Sequence, residues 1–151
     1  MSIRLTDDEA WAAIAAAHTG ILTTLRADGR PITLPTWFVV VDRAVCLRTP
    51  AGSKKVARVR RDPRASFLVE RGEQWRSLFG VHLSGHVRTV TEEPEQEAIH
   101  AALDDKYRAF RLSSDAMPES ARRTYSNFAV LRLVPHDRIL TWDNSRMRLP
   151  D

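Results

Sequence analysis

Apolar and polar positions alternate with a period of two along much of this chain, and that period predicts strands. Gly20-Ile21-Leu22-Thr23-Thr24-Leu25 reads as the first of them. Asp28-Gly29 then marks a hairpin into Pro31-Ile32-Thr33-Leu34, and Trp37-Phe38-Val39-Val40-Val41 follows. Asp42-Arg43 turns the chain back into Ala44–Thr49. Further strands are predicted over Ala65–Glu70, Val81–Val90, Asn127–Val134 and Arg138–Trp142. Gly85, in the middle of the longest run, predicts a bulge or a close backbone approach where that strand bends.

Two segments break the period of two. Thr6-Asp7-Asp8-Glu9 has the spacing of a capping box, and Ala10, Trp11, Ile14 and Ala15 follow on one helical face. Pro94 opens a second helix, whose apolar stripe is Ile99, Leu103, Tyr107 and Phe110. Ser113–Pro118 reads as a loop, with a short helix after it reaching Tyr125. Six or seven strands with hairpin-length links and few helices between them predict a mainly β chain. The expected architecture is an antiparallel barrel with helices packed at its ends, not a doubly wound sheet. At 151 residues, with no linker or repeat, 1–151 is expected to be one domain.

Composition bounds the setting more than the chemistry. Cys46 is the single cysteine and lies within an apolar strand, which predicts a buried structural thiol and a cytoplasmic protein. The Ala10–Ala17 run is short, follows Asp7-Asp8-Glu9 and lacks a basic leader, so it does not read as a signal peptide. No stretch approaches the ~20 apolar residues of a membrane span.

Charge is concentrated in one place. Residues 48–64 carry seven basic side chains and one acid, a net of +6, whereas the whole chain is +4. Within that segment, Arg48-Thr49-Pro50-Ala51-Gly52-Ser53-Lys54-Lys55 closes a strand and opens a short helix with Val56 and Val59 as its apolar positions. Pro50 and Gly52 make the turn, and Ser53 is a favourable N-cap. The first free amides of that helix therefore face the same space as Thr49, Lys54 and Lys55, a combination suited to a phosphate. The alternative is a solvated basic helix face.

Other chemistries are missing their residues. His82 and His86 are four apart, but on a strand that spacing is ~13 Å, too far for one ion, and no metal site is expected. There is no nucleophile elbow, P-loop or G-x-G-x-x-G, and no catalytic side chain is assigned. An enzyme so equipped would draw its reactive atom from a cofactor. A nucleic-acid module built on residues 48–64 is the less favoured alternative, because that segment has no aromatic for base stacking.

The run from Arg48-Thr49 through Gly52-Ser53-Lys54-Lys55 to Val59 and Asp62-Pro63-Arg64-Ala65 resembles the flavin-phosphate segment of the pyridoxamine 5′-phosphate oxidase-like split β-barrels. The order of the other elements fits from about residue 5 to residue 142, including Asp28-Gly29-Arg30-Pro31, Pro35-Thr36-Trp37-Phe38 and the Gly85-centred strand. The resemblance implies an FMN-binding-like split barrel in which Ser53, Lys54 and Lys55 hold the cofactor phosphate. Arg48, Thr49, Arg58 and the backbone around Thr36 and Trp37 would complete the cofactor site. Trp37 lines the ring or the substrate pocket, or is core packing. The family's closing Trp and substrate-binding Arg are echoed by Trp142, Arg146 and Arg148. Its Arg-Gln pair entering the long strand is replaced by Phe79-Gly80, so pyridoxamine phosphate oxidation itself is not expected.

Ile139-Leu140-Thr141-Trp142-Asp143 is similar to the closing strand of the coenzyme F420-dependent reductases of the B group. That branch implies hydride transfer between a bound deazaflavin and a small organic substrate, with Arg58, Arg60 and Arg61 available for the cofactor's anionic tail. FMN, in an oxidase or flavin reductase, is the alternative cofactor. The resemblance further implies a homodimer with cofactor sites at its interface. Leu78-Phe79-Gly80-Val81 and Phe128–Val134 are the apolar strand segments expected to supply its surface.

Overall fold

The computed structural model describes every residue apart from Met1, Asp137 and Asp151. Its helices are α1 (Asp7–Ala16), α2 (Lys54–Arg61), α3 (Glu93–Tyr107) and α4 (Glu119–Thr124). The strands are β1 (Gly20–Leu25), β2 (Pro31–Thr36), β3 (Val39–Val41), β4 (Ala44–Pro50), β5 (Arg64–Arg71), β6 (Phe79–Thr89), β7 (Phe128–Pro135) and β8 (Leu140–Asp143).

Seven strands form one antiparallel path in the order β2-β1-β5-β6-β7-β4-β3, and the short β8 pairs with β6. The two ends of that path, β2 and β3, are consecutive in the chain and joined only by Trp37-Phe38. Three residue steps reach about 10 Å at most. The sheet must therefore curl until its edges meet, and the chain is a barrel split beside Trp37-Phe38.

β6 is the strand that makes this shape. Its first half, Phe79–His82, pairs with β8, and its second half, Gly85–Thr89, pairs with β7. The exchange falls at Gly85, where an added Cβ would overlap the Val134 carbonyl. The register against β5 runs unbroken from Arg64↔His86 to Arg71↔Phe79. Of the two expectations for Gly85, the close backbone approach holds and the bulge does not.

Leu22, Phe38, Val45, Leu47, Phe67, Val81, Leu83, Leu131 and Leu133 fill the interior. Helix α1 closes over that core with Ala10, Trp11 and Ile14, and its capping box is formed: Thr6 Oγ1 accepts from Glu9 N–H while Glu9 Oε2 accepts from Thr6 N–H. Helix α3 lies outside β3 and β4 and buries Ile99, Leu103 and Tyr107 against Val39, Cys46 and Val130. Phe110 leaves the stripe: it falls in a 3₁₀ turn after α3 and is 60% exposed. No helix of the described residues is long and apolar enough to cross a membrane.

Candidate functional site

Strand β4 delivers Thr49, 6% exposed, to the turn that starts α2. Its Oγ1 lies 3.3 Å from Ser53 Oγ, and Ser53 N–H donates to the Pro50 carbonyl at 2.9 Å. Ser53 is the N-cap of α2, as its sequence position predicts, accepting from Val56 N–H at 3.4 Å. The amides of Lys54 and Lys55 belong to the helix's first turn, where no intrahelical acceptor exists. No acidic residue lies in that turn. Helix geometry thus leaves free donors beside two hydroxyls and two ammonium groups.

The cations here are uncompensated. Lys55 is half-buried, and among the described residues no carboxylate pairs with it or with Lys54. Burial, then the nearby Arg58, push the Lys55 ammonium below the usual lysine range. Arg58 is itself lowered by burial and by Arg26 and Arg61. Its Nε donates to Thr24 Oγ1 at 2.8 Å, and Arg61 donates to the Leu25 carbonyl at 3.2 Å. Neutral oxygens orient these guanidinium groups without neutralising them. A partly desolvated group of like charges costs free energy, and an anion placed among them recovers it. Thr24 and Arg26 join the cluster only through the fold, since α2 packs across the end of β1.

Arg48 has a different job from its neighbour Thr49. Its guanidinium donates to Asp104 Oδ1 at 2.7 Å, sits 3.1 Å from His100 Nδ1 and lies 5.2 Å from the Phe128 ring centroid. Adjacent strand residues face opposite sides of the sheet. The ion pair consequently ties α3 to β4 and draws Arg48 away from the Ser53–Lys55 turn. His100 is pushed down by its burial and by Arg48.

The barrel's split is closed by a latch built around Trp37 and Tyr107. Trp37 stacks on Tyr107, with ring centroids 4.3 Å apart and planes within 3°. The Tyr107 hydroxyl accepts from Phe38 N–H at 2.9 Å and donates to the His18 carbonyl at 2.7 Å, with the Phe38 carbonyl also at 2.9 Å. Lys106 Nζ donates to the carbonyls of Ala17 (2.8 Å) and Phe38 (3.0 Å) and stands 3.9 Å from the Phe38 ring centroid. Burial pushes this ammonium down to about 8. The sequence named two of its members, Trp37 as a site residue and Tyr107 in the α3 stripe, but not their pairing with each other, with Lys106 or with the His18 and Phe38 carbonyls. Thr36, whose Oγ1 donates to the Trp37 carbonyl at 3.1 Å, and the 37%-exposed Trp37 are fixed at this split by β2, α1 and α3.

Trp142 and Arg146 lie at the β8 end of the barrel. Trp142 is 49% exposed, and its indole N–H donates to Asn144 Oδ1 at 2.7 Å. Arg146 is engaged on three sides, by Asp143 Oδ2 (3.2 Å), the Arg4 carbonyl (3.1 Å) and Glu9 Oε1 (2.9 Å). That geometry ties the 3₁₀ turn after β8 to the start of α1 and engages the Arg146 guanidinium with carboxylates and a carbonyl. The strand segments expected to give a surplus apolar surface are mostly interior: Phe79, Val81, Ala129, Val130, Leu131 and Leu133 are buried. Leu78 and Val134 of these segments are exposed, and so are the neighbouring apolar side chains Trp75, Leu140 and Trp142.

Comparison with known proteins agrees with this architecture. Residues 6–140 match the pyridoxamine 5′-phosphate oxidase family model. No curated protein matches. A conserved hypothetical protein from Mycobacterium tuberculosis is 28% identical, with a TM-score of 0.81 over 99% of this chain and 91% of that one. The FAD-binding protein from Mycobacterium smegmatis is 22% identical with a TM-score of 0.64, over 91% and 94% of the two chains. The heme storage protein HutZ from Vibrio cholerae shares the fold at 14% identity and a TM-score of 0.70, over 97% of this chain and all (100%) of the other. With the family model covering nearly its whole length, this chain belongs to the pyridoxamine 5′-phosphate oxidase family and has its split-barrel fold.

Proposed function

We propose that this protein is a flavin-binding oxidoreductase that holds the phosphate of FMN at the turn between β4 and α2. The observation that carries the reading is the half-buried Lys55, without a carboxylate partner among the described residues, at the head of a helix whose first turn is free of acid. Thr49 and Ser53 offer hydroxyls to the phosphate, and the Lys54 and Lys55 amides offer N–H donors. A bound flavin would supply the hydride-transfer chemistry that the side chains lack. The chain's own part is to bind and orient: the Ser53–Lys55 turn would anchor the phosphate end, and the Trp37-Phe38 segment, held by Tyr107 and Lys106, would offer a fixed surface to the ring. The FAD-binding neighbour from Mycobacterium smegmatis supports the flavin reading.

A deazaflavin, coenzyme F420, is the second reading, favoured by the cation cluster of Arg26, Arg58 and Arg61, which extends beyond what a single phosphate needs. A homodimer goes with either reading, with exposed apolar side chains such as Trp75, Leu140 and Trp142 as its candidate surface. The test is a titration of purified protein with FMN and with F420, followed by Trp fluorescence and visible absorbance. Saturable micromolar FMN binding is expected. Binding of F420 alone would replace the first reading with the second; binding of neither, or a heme Soret band without flavin, would refute both.

A further inference from the structure

Two histidines far apart in the chain meet on the outside of the barrel. Strand β7 ends at Pro135, and the next residue, His136, donates its backbone N–H to the Ser84 carbonyl at 3.2 Å. The β6–β7 register, with His86↔Val134 and Gly85↔Pro135, thus continues to His136 opposite Ser84. His86, Val134 and His136 share the barrel's outer face, because alternate residues of paired strands point the same way and all three are exposed. Diagonal neighbours of this kind are within reach of long side chains. The two imidazole centroids lie 4.5 Å apart, with planes 46° from one another.

A single metal ion shared by both rings asks for that separation. Held by one nitrogen of each ring at about 2.0–2.1 Å, it puts the ring centres about 4.5–5 Å apart for N–metal–N angles from a right angle to tetrahedral. Among the described residues no hydrogen bond engages the His86 ring. The neighbouring cations are already neutralised. Arg64, opposite His86 on β5, pairs with Asp62 at 2.8 Å, and Arg88, two residues along β6, pairs with Glu95 at 2.6 Å. Beside His136 lies a depression of about 240 Å³ whose walls include Thr23, Ser66 and Ser84. It has room for the waters that complete the shell of an ion with two imidazole ligands. Among the described residues no third His, Cys, Asp or Glu joins the pair.

We propose that His86 and His136 bind one divalent transition-metal ion of the kind that prefers imidazole, Cu²⁺, Ni²⁺ or Zn²⁺, with its remaining positions open to water. His82, the other histidine of β6, stands apart from the pair, because the register sets it opposite Leu140 on β8.

Calorimetric titration of the full chain, stripped of metal, with Cu²⁺, Ni²⁺, Zn²⁺ and Mg²⁺ tests this. One ion per chain should bind with micromolar affinity, Cu²⁺ the tightest, and Mg²⁺, which takes oxygen ligands, should not bind. Electron paramagnetic resonance at one equivalent of Cu²⁺ should show coupling to two imidazole nitrogens. His86→Asn and His136→Asn should each lower Cu²⁺ affinity about tenfold or more and leave one coupled nitrogen, whereas His82→Asn binds like the parent. Both positions are exposed, so these variants should melt with the parent in the absence of metal. None of the readouts requires a bound flavin. Cu²⁺ binding no tighter than millimolar, coupling to a single nitrogen in the parent, or unchanged binding by either His86→Asn or His136→Asn would overturn the proposal.

Discussion

Replacing Lys55 by Met separates binding from stability, because the structure gives the two effects opposite signs. Met keeps an unbranched side chain of similar length and removes the charge. In the native chain that charge is half-buried, lies near Arg58 and has no carboxylate partner among the described residues. Its ordinary value is lowered, so the protonated form opposes folding at neutral pH. Like-charge contacts of this partly solvated kind are worth up to about 1 kcal/mol. Lys55→Met should therefore leave the melting temperature unchanged or raise it by about 2–4 °C per kcal/mol recovered. FMN binding should move the other way. Loss of a hydrogen bond to a charged phosphate costs about 1.5–3 kcal/mol, roughly ten- to hundredfold in Kd. Differential scanning fluorimetry on the apoprotein and fluorescence titration with FMN read the two quantities on the same preparation. A variant that binds FMN like the parent, or that melts lower, would refute the reasoning: the first outcome makes Lys55 a solvated helix residue, the second makes it structural.

Three further outcomes follow from other parts of the fold. Lys106 titrates near 8 in the native chain and in the ordinary lysine range when unfolded, so between those values the unfolded chain holds the extra proton. Stability from this group should rise from about pH 8 to pH 10, and Lys106→Met should remove that slope from the melting profile. Cys46 is fully buried and its thiol is pushed up to about 11 by burial, so a chromogenic disulfide should label it only after denaturation; rapid labelling of the native protein would contradict that packing. Gly85→Ala puts a methyl group into the Val134 carbonyl at the β7–β8 exchange and should cost about 1–3 kcal/mol or more, seen as a lower urea midpoint.

What the sequence determined by itself is local. The capping box at Thr6–Glu9, the Asp28-Gly29 turn with Gly29 at a positive φ of 83°, the Ser53 cap and the alternation in β1, β5 and β6 depend on residues within a few positions of one another. Cap and turn chemistry at that range is the same in any tertiary context. The anion-favouring turn was legible for the same reason, since a strand end, a glycine, a cap and two lysines are contiguous. Tertiary structure decided where the long side chains go. Arg48 reads as a neighbour of the turn, yet Asp104, 56 residues away, turns it toward α3. Arg146 is held by Glu9, 137 residues distant, and the cluster around Arg58 needs Thr24 from β1. Tyr107 looks like one more apolar position until its hydroxyl meets Phe38 and His18 across the barrel's split. Flexible guanidinium and ammonium groups go to the partner that best offsets their desolvation. Those partners are supplied by strands and helices that approach only once the barrel has closed, which a one-dimensional pattern does not encode.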